Sequence, residues 1–333
     1  KILLPVIYLY LIVCAGSAIP LPPQDNSHYV EGVSRYFWMS DGESDLVLVD
    51  TQAPLTEEEK QANVRNGANN QYWLFTRQNP NSRQVLVNGN TNSVRNSNYR
   101  ANRATKVIVH GWNQNGNAGM NGQITSAFLA VMDCNVIVVD WNRLANTGYN
   151  NAAAGVPDVG RHLGNFIIWL FNNFGGNWGQ LHFVGFSLGA HVVGNAGRTV
   201  GGRAGRVTGL DPAGPLWGGN SNALNRNSGI YVESIHTNGR GLGIMNVISD
   251  CDFYPNGGRN QPGCGTPTCS HGRAPELFAS SVRSNHFIGR RCVSLHEADL
   301  NTCNGAQHRM GNAIIGKRGT GIYGLRTGSS WPF

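Results

Sequence analysis

Three short runs stand out because polar residues nearly vanish from them: 106–110, 135–141 and 181–186. A strand with one face in water alternates apolar and polar positions. A strand covered on both faces reads as a continuous apolar run, the pattern of a parallel sheet between two helical layers. Residues 206–211 and 231–236 continue the series less purely. Between the runs the period changes. Over 155–174, Val159, Leu163, Phe166, Ile167, Leu170 and Phe171 recur at helical spacing and predict one amphipathic helix. Residues 120–132 and 188–200 predict two more. Upstream, 72–76 and 84–87 predict an antiparallel pair around Asn79-Pro80-Asn81. Residues 46–49 predict a short strand. Residues 56–65 predict a helix, with Thr56 as N-cap and Glu59 completing a capping box. This alternation predicts an α/β domain with a mostly parallel sheet covered on both sides. The Gly-rich last third reads as irregular and stapled by disulfides.

The start of the chain follows a different logic. Lys1 precedes an apolar run, 2–13, and then Cys14-Ala15-Gly16-Ser17-Ala18. A basic start, an apolar stretch and small residues predict a signal peptide over 1–18. The run is shorter than the roughly 20 residues a membrane span needs. Residues 19–70 are read as an N-terminal segment, in part a pro-segment, and 71–333 as the α/β domain. Loss of Cys14 leaves six of the seven cysteines, and an even count in a secreted chain implies disulfides. Cys264 lies close to Cys269, and Cys292 to Cys303. Cys134 and Cys251 are then paired by elimination. There is no Asn-X-Ser/Thr acceptor for N-glycosylation.

Charge narrows the class of partner. Charged residues are 14 % of the chain, against a usual value of about 25 %. The net charge is +7, and the basic residues form no single block. Their densest groups are Arg95, Arg100, Arg103 and Lys106, then Arg198, Arg203 and Arg206. With no zinc-finger spacing or RNA-binding signature beside them, nucleic acid is not the expected partner. A neutral or weakly anionic lipid surface suits this composition better.

The strongest chemical signal is Gly185-Phe186-Ser187-Leu188-Gly189, a G-x-S-x-G sequence with a predicted strand before it and a helix after. That context is a nucleophile elbow, where small flanking residues let the chain turn sharply and present the serine at the sheet edge. A serine hydroxyl needs a base, and the base needs an orienting acid. Asp211, ending the next predicted strand, would face the same rim as Ser187. His236 ends a strand and His271 follows Cys269 in a predicted loop; the residues alone leave these two histidines even. For the oxyanion, one donor is the Leu188 amide. The other is the Trp112 amide, just past the buried strand in Val107-Ile108-Val109-His110-Gly111-Trp112.

These motifs together resemble the pancreatic lipase family. The resemblance rests on Val184-Gly185-Phe186-Ser187-Leu188-Gly189-Ala190-His191, Gly209-Leu210-Asp211-Pro212-Ala213-Gly214-Pro215, Ile235-His236-Thr237 and Asp252-Phe253-Tyr254-Pro255-Asn256-Gly257-Gly258, in the family's order. It runs from about Tyr72 onward and is nearest to insect neutral lipases and short-lid phospholipases A1. It implies an α/β-hydrolase fold, a triad of Ser187, Asp211 and His271, and an oxyanion pair of Trp112 and Leu188. It thereby chooses His271 over His236. The chain also departs from the family. Phe186 stands where many relatives have His. The lid between the cysteines that map onto Cys264 and Cys269 shrinks to Gly265-Thr266-Pro267-Thr268. The calcium-site aspartates become Asn225 and Ser228. The resemblance therefore implies an open cleft that admits polar head groups, as in phospholipase A1 or galactolipase. It also implies no metal, no cofactor, no C-terminal β-sandwich and no colipase. The expected protein is a secreted lipid ester hydrolase meeting its substrate at a membrane, micelle or droplet. A triacylglycerol lipase and a non-catalytic lipid-binding protein of the same fold are the alternatives.

Overall fold

The computed structural model describes residues 26–42 and 45–333, with side chains except over 62–66. The signal peptide expected over 1–18 and Cys14 lie outside the described residues. In chain order the elements are β1 (Tyr36–Ser40), β2 (Leu46–Asp50), α1 (Glu57–Asn66), β3 (Gln71–Phe75), β4 (Gln84–Leu86), α2 (Thr91–Arg95), β5 (Thr105–Val109), α3 (Gly119–Val131), β6 (Asn135–Asp140) and α4 (Asn142–Ala145). Then come α5 (Tyr149–Phe174), β7 (Leu181–Phe186), α6 (Leu188–Thr199), β8 (Arg206–Leu210), β9 (Val232–Ile235), β10 (Cys251–Pro255), α7 (Pro267–Ser284), β11 (Ile288–Cys292), α8 (Leu295–Asp299), β12 (Gln307–Arg309) and β13 (Gly321–Leu325). Eleven strands form one sheet in the order β12-β11-β13-β10-β9-β8-β7-β5-β6-β3-β4. From β13 to β6 every neighbouring pair is parallel, and the outer pairs are antiparallel. This is the mostly parallel sheet that the apolar runs predict, in the α/β-hydrolase fold that the resemblance implies.

The runs are apolar because consecutive residues enter different cores. Val107, Val109, Ile137, Val139 and Phe183 join the core under α5 and α6. Ile108, Val136, Val138, Val184 and Phe186 join the one under α3 and α7. Helix α1 has the capping box read from the sequence: Glu59 N donates to Thr56 Oγ1 at 3.1 Å and Thr56 N to Glu59 Oε2 at 2.9 Å. Helix α5 begins six residues before the expected 155. Pro157 argues locally for a start near there, but Tyr149, Ala152, Ala153 and Val156 are buried in the core and packing carries the helix through.

The last third is not irregular. It holds five strands, β9 to β13, and the 18-residue helix α7. Gly272, Pro275 and a buried face rich in Ala and Ser hide its period. Thr266 caps it, with Oγ1 accepting from Cys269 N at 3.2 Å, and Pro267 opens it. The disulfides Cys264–Cys269 and Cys292–Cys303 form as read, with Cα separations of 5.3 and 4.5 Å. The Cys134–Cys251 pairing is wrong, since both thiols are free and buried. Cys134 leads into β6 and Cys251 starts β10, five strand spacings apart in the sheet, or roughly 24 Å. A disulfide needs Cα atoms within about 7 Å.

Some of the basic residues point inward. Arg206 is fully buried and donates to the carbonyls of Gly311, Asn312 and Ile314 and to Glu233. Lys317 Nζ reaches the other Glu233 oxygen at 2.5 Å. Burial opposes ionisation of Glu233, but the two cations outweigh it and hold its carboxyl below the usual range. Lys106 has no such partner among the described residues: its Nζ is buried without a hydrogen bond, 5.4 Å from the Phe128 ring. Burial pushes it down to about 8.

Two predictions follow from these interiors. Alkylation and peptide mapping without reduction should find Cys134 and Cys251 as free thiols, and a peptide linking them would restore the eliminated pairing. The Lys106 amine loses its proton at lower pH in the folded chain than in the unfolded one. Its burial penalty is therefore full below about pH 8 and is relieved toward pH 10.5. Lys106→Met should raise Tm by several degrees at pH 7 and by clearly less at pH 10, read by calorimetry against the unaltered protein.

Candidate active site

The elbow is built by close backbone approaches. Strand β7 ends at Phe186 and α6 starts at Leu188, so Ser187 alone makes the turn, at φ 54° and ψ −123°. Such a conformation costs about 1–3 kcal/mol in a residue other than glycine and persists only where its surroundings enforce it. Here they do. A Cβ on Gly185 would lie 2.1 Å from Gly189 O, and one on Gly189 would lie 2.4 Å from the carbonyl oxygens of both Val109 and His110. Ser187 N donates to Leu210 O at 3.0 Å, tying the turn to β8. The hydroxyl-bearing residue is left at the sheet edge in a small pocket.

Phe186 pairs with Leu210 in the β7–β8 register, so Asp211 emerges beside Ser187, as the sequence reading expects. Its carboxylate is fully buried. Oδ1 accepts from the amides of Thr237 (2.7 Å) and Asn238 (3.0 Å), and Oδ2 lies 2.6 Å from His271 Nδ1. A carboxylate held on one oxygen by two amides offers the other in one direction. That fixes the imidazole with Nδ1 toward the acid and leaves Nε2 for the pocket. His271 sits inside helix α7, not in the loop expected for it, with its ring 4.6 Å from that of Phe186. Ser187 and His271 line the same pocket without a hydrogen bond between them, a loose resting geometry common in ligand-free sites. His236 is elsewhere engaged. Its Nε2 meets Asp252 at 2.9 Å, its Nδ1 meets Ile244 O at 2.8 Å, and its ring stacks on Tyr254. The two histidines that the residues leave even are separated by which acid each one meets.

The loop after β5 shows which amides are spare. Gly111 N donates to Gln114 Oε1 at 3.0 Å and Asn113 N to Ala145 O at 2.8 Å. The Trp112 indole donates to Thr147 O at 2.8 Å. Among the described residues the backbone amides of Trp112 and Leu188 have no partner. They are the two expected from the sequence. Gly111 brings its loop onto the serine, since a Cβ there would lie 3.0 Å from Ser187 Cβ.

The pocket holding Ser187 and His271 measures about 80 Å³. A separate cavity of about 860 Å³ lies between the β3–β4 turn and α3 and is lined by none of the expected site residues. Ser187, His271 and Trp112 line the small pocket together with Met39, Ser40, Gly42 and Gln114. The sequence reading missed these last four. Their segment was weakly patterned and placed outside the domain, and Gln114 belongs to no motif. Thr237 and Asn238, which hold Asp211, stood in or beside a noted motif without a role.

The residues at the expected calcium position do not fit a metal. Asn225 Oδ1 accepts from Asn227 N at 3.0 Å and caps a short turn. Ser228 Oγ accepts from Arg198 Nη1 at 3.1 Å, and Arg198 also donates to the carbonyls of Ala223 and Asn222, both at 3.0 Å. A guanidinium already holds the oxygens a hard cation would seek, and no carboxylate is there to offset a second positive charge.

The profile of the Lipase family matches residues 40–333. Pancreatic triacylglycerol lipase of Homo sapiens is 33 % identical over 263 residues, covering 71 % of this chain and 56 % of its own. The enzyme of that name from Myocastor coypus is 32 % identical, covering 71 % and 57 %. Pancreatic lipase-related protein 2 of Homo sapiens is 30 % identical over 260 residues, covering 70 % and 55 %. The chain thus spans little more than half the length of these relatives. A carboxylesterase from Lactobacillus plantarum aligns at a TM-score of 0.27 and 10 % identity, over 53 % of this chain and 68 % of its own, too loosely to say more.

The elbow geometry makes a contrast between two glycines. Gly189→Ala should lower Tm sharply or prevent folding, because its neighbours are backbone carbonyls. Gly272→Ala, with nothing within 4 Å of the new methyl, should gain up to about 1 kcal/mol of helix stability. Equal effects in thermal unfolding would contradict the close approach at α6.

Proposed function

Because this chain belongs to the Lipase family, we propose that it is a secreted serine carboxylic ester hydrolase acting on lipid esters. The observation that carries the reading is the 2.6 Å contact of His271 Nδ1 with Asp211, beside a serine on a strained elbow and two unpartnered amides. His271 Nε2 takes the Ser187 proton as Oγ attacks the ester carbonyl carbon. The carbonyl oxygen becomes an oxyanion and accepts from the amides of Trp112 and Leu188. Collapse breaks the bond to the alcohol oxygen, which leaves with the proton from His271. Water, losing a proton to His271, then attacks the acyl–Ser187 ester. The fatty acid departs and Ser187 regains its proton. A preorganised oxyanion donor contributes roughly 10²–10³ in kcat.

For substrate we favour phospholipids or galactolipids cleaved in the manner of phospholipase A1. The support is the stub between Cys264 and Cys269: three of its four residues are already committed as the cap and first two residues of α7, so it has no length for a flap. A triacylglycerol lipase is the second reading, favoured by the names of two of the relatives reported above. Two disulfides support an oxidising, extracellular setting.

Turnover of phosphatidylcholine and triolein should be compared on the purified protein, with Ser187→Ala as blank. We expect faster cleavage of the phospholipid and none by the blank; faster triolein cleavage would select the second reading. A long-chain alkylphosphonate ester should label Ser187 stoichiometrically, and no label and no turnover would leave the lipid-binding alternative. His271→Ala should lower kcat by about 10⁴-fold or more, whereas His236→Ala should act mainly on Tm.

A further inference from the structure

The site has a wall that lies outside every motif. A ligand pocket commonly measures about 300–1,000 Å³, and this one about 80 Å³. What narrows it is not the Cys264–Cys269 stub alone but the first described strand pair, β1–β2. Its Met39, Ser40 and Gly42 face Ser187 across the pocket. The pair is anchored in the main core, with Phe37 and Met39 buried and Phe37 set edge-on to Tyr149, whose ring in turn meets Trp112. Asn26 locks β1 from the side: it donates to Trp38 O and accepts from Trp38 N, both at 2.6 Å.

Two neighbouring side chains join this wall to the oxyanion loop. Gln114 Oε1 accepts from Gly111 N at 3.0 Å, and its Nε2 donates to Gly42 O at 3.4 Å. Asn113 adds a bond from Nδ2 to Asp41 O. Gly42 sits so close that a Cβ there would lie 2.7 Å from Asn113 O. The peptide between Gly111 and Trp112 carries the spare amide. Its own carbonyl, Gly111 O, meets His110 Nδ1 at 2.9 Å, and its flanks are held by the Gln114 bond to Gly111 N on one side and the Asn113 bond to Ala145 O on the other.

We propose that Gln114 is a positioning residue of the oxyanion hole, clasping the β1–β2 pair to the loop that presents the Trp112 amide, so that this N-terminal pair is a working part of the active site. The proposal rests on the Ser187 reading above. Gln114 touches neither the reacting carbonyl nor the nucleophile; it holds the amide that does. An amide that swings by a fraction of an ångström still tolerates a ground-state carbonyl but loses its aim at the oxyanion.

The test compares Gln114→Ala and the equal-volume Gln114→Met with the unaltered protein. Four readouts are needed: kcat and KM on a soluble p-nitrophenyl ester, the rate of Ser187 labelling by the phosphonate, the Ki of a trifluoromethyl ketone, and Tm. The expected result is a fall in kcat of about 10–100-fold in both variants, below the loss of a whole donor. KM should stay within about twofold, and labelling rate and ketone affinity should fall in parallel. Tm should move little, since Gln114 is only partly buried. Unchanged kcat, recovery of activity in the Met variant, or a loss tracking Tm and KM together would overturn it. Failure of the unaltered protein to be labelled would instead overturn the nucleophile assignment, which keeps the two proposals distinguishable.

Discussion

The site hangs on the contact between the start of α6 and the end of β5. Two carbonyl oxygens occupy the place where a side chain at position 189 would begin. Only glycine permits that approach, and the approach does three things at once. It bends the chain hard enough to leave Ser187 in its left-handed conformation. It sets the amide of Leu188 free at the head of a helix. It also brings the end of β5 and His110 alongside, so that Gly111 and Trp112 arrive next to the serine. Asp211 and His271 are then placed by the neighbouring strand and by α7, through ordinary register and packing. Remove the contact and the remaining parts have no common point to face.

The sequence was most readable where local pattern and global packing agree. Continuous apolar runs marked β5, β6 and β7 because both faces of those strands are covered, and Thr56 with Glu59 marked a helix start that the structure keeps. It was least readable where packing overrules local preference. Pro157 hid the first turns of α5, and Ser, Ala, Gly and Pro hid α7, so His271 was put in a loop. The choice between His236 and His271 came from the family resemblance and not from residue order. Each meets a carboxylate, and only the fold shows that His271 meets the one abreast of Ser187. Pairing cysteines by elimination counts residues and ignores distance, and β6 and β10 lie too far apart. Gln114 left no mark because its partners are a backbone amide and a distant carbonyl.

The two edges of the sheet carry opposite kinds of polar burial. At the ends of β7 and β8 the buried polar groups are arranged to leave two amides and one imidazole nitrogen unspent. At the starts of β8 and β9 they are spent on one another: Glu233 meets both Arg206 and Lys317, and the three hold the 311–317 segment against the sheet. Such a buried network is costly to break, though not by itself a source of net stability. Here it ties the 311–317 segment to the edge of the sheet opposite Ser187. Arg198 does the same for the 222–228 turn, with its own charge.

The free thiols bear on how the chain must mature. Both disulfides join near neighbours in sequence, five and eleven residues apart, so each can close without waiting for the sheet. Cys134 and Cys251 sit at the starts of interior strands, and burial pushes each up to about 11. Once folded they hold almost no thiolate at neutral pH and are nearly inert to exchange. Before folding they are as reactive as any other cysteine. An oxidising compartment therefore sets a race between strand insertion and wrong pairing. The short loops that capture the other four cysteines favour the sheet in that race by removing the competitors first.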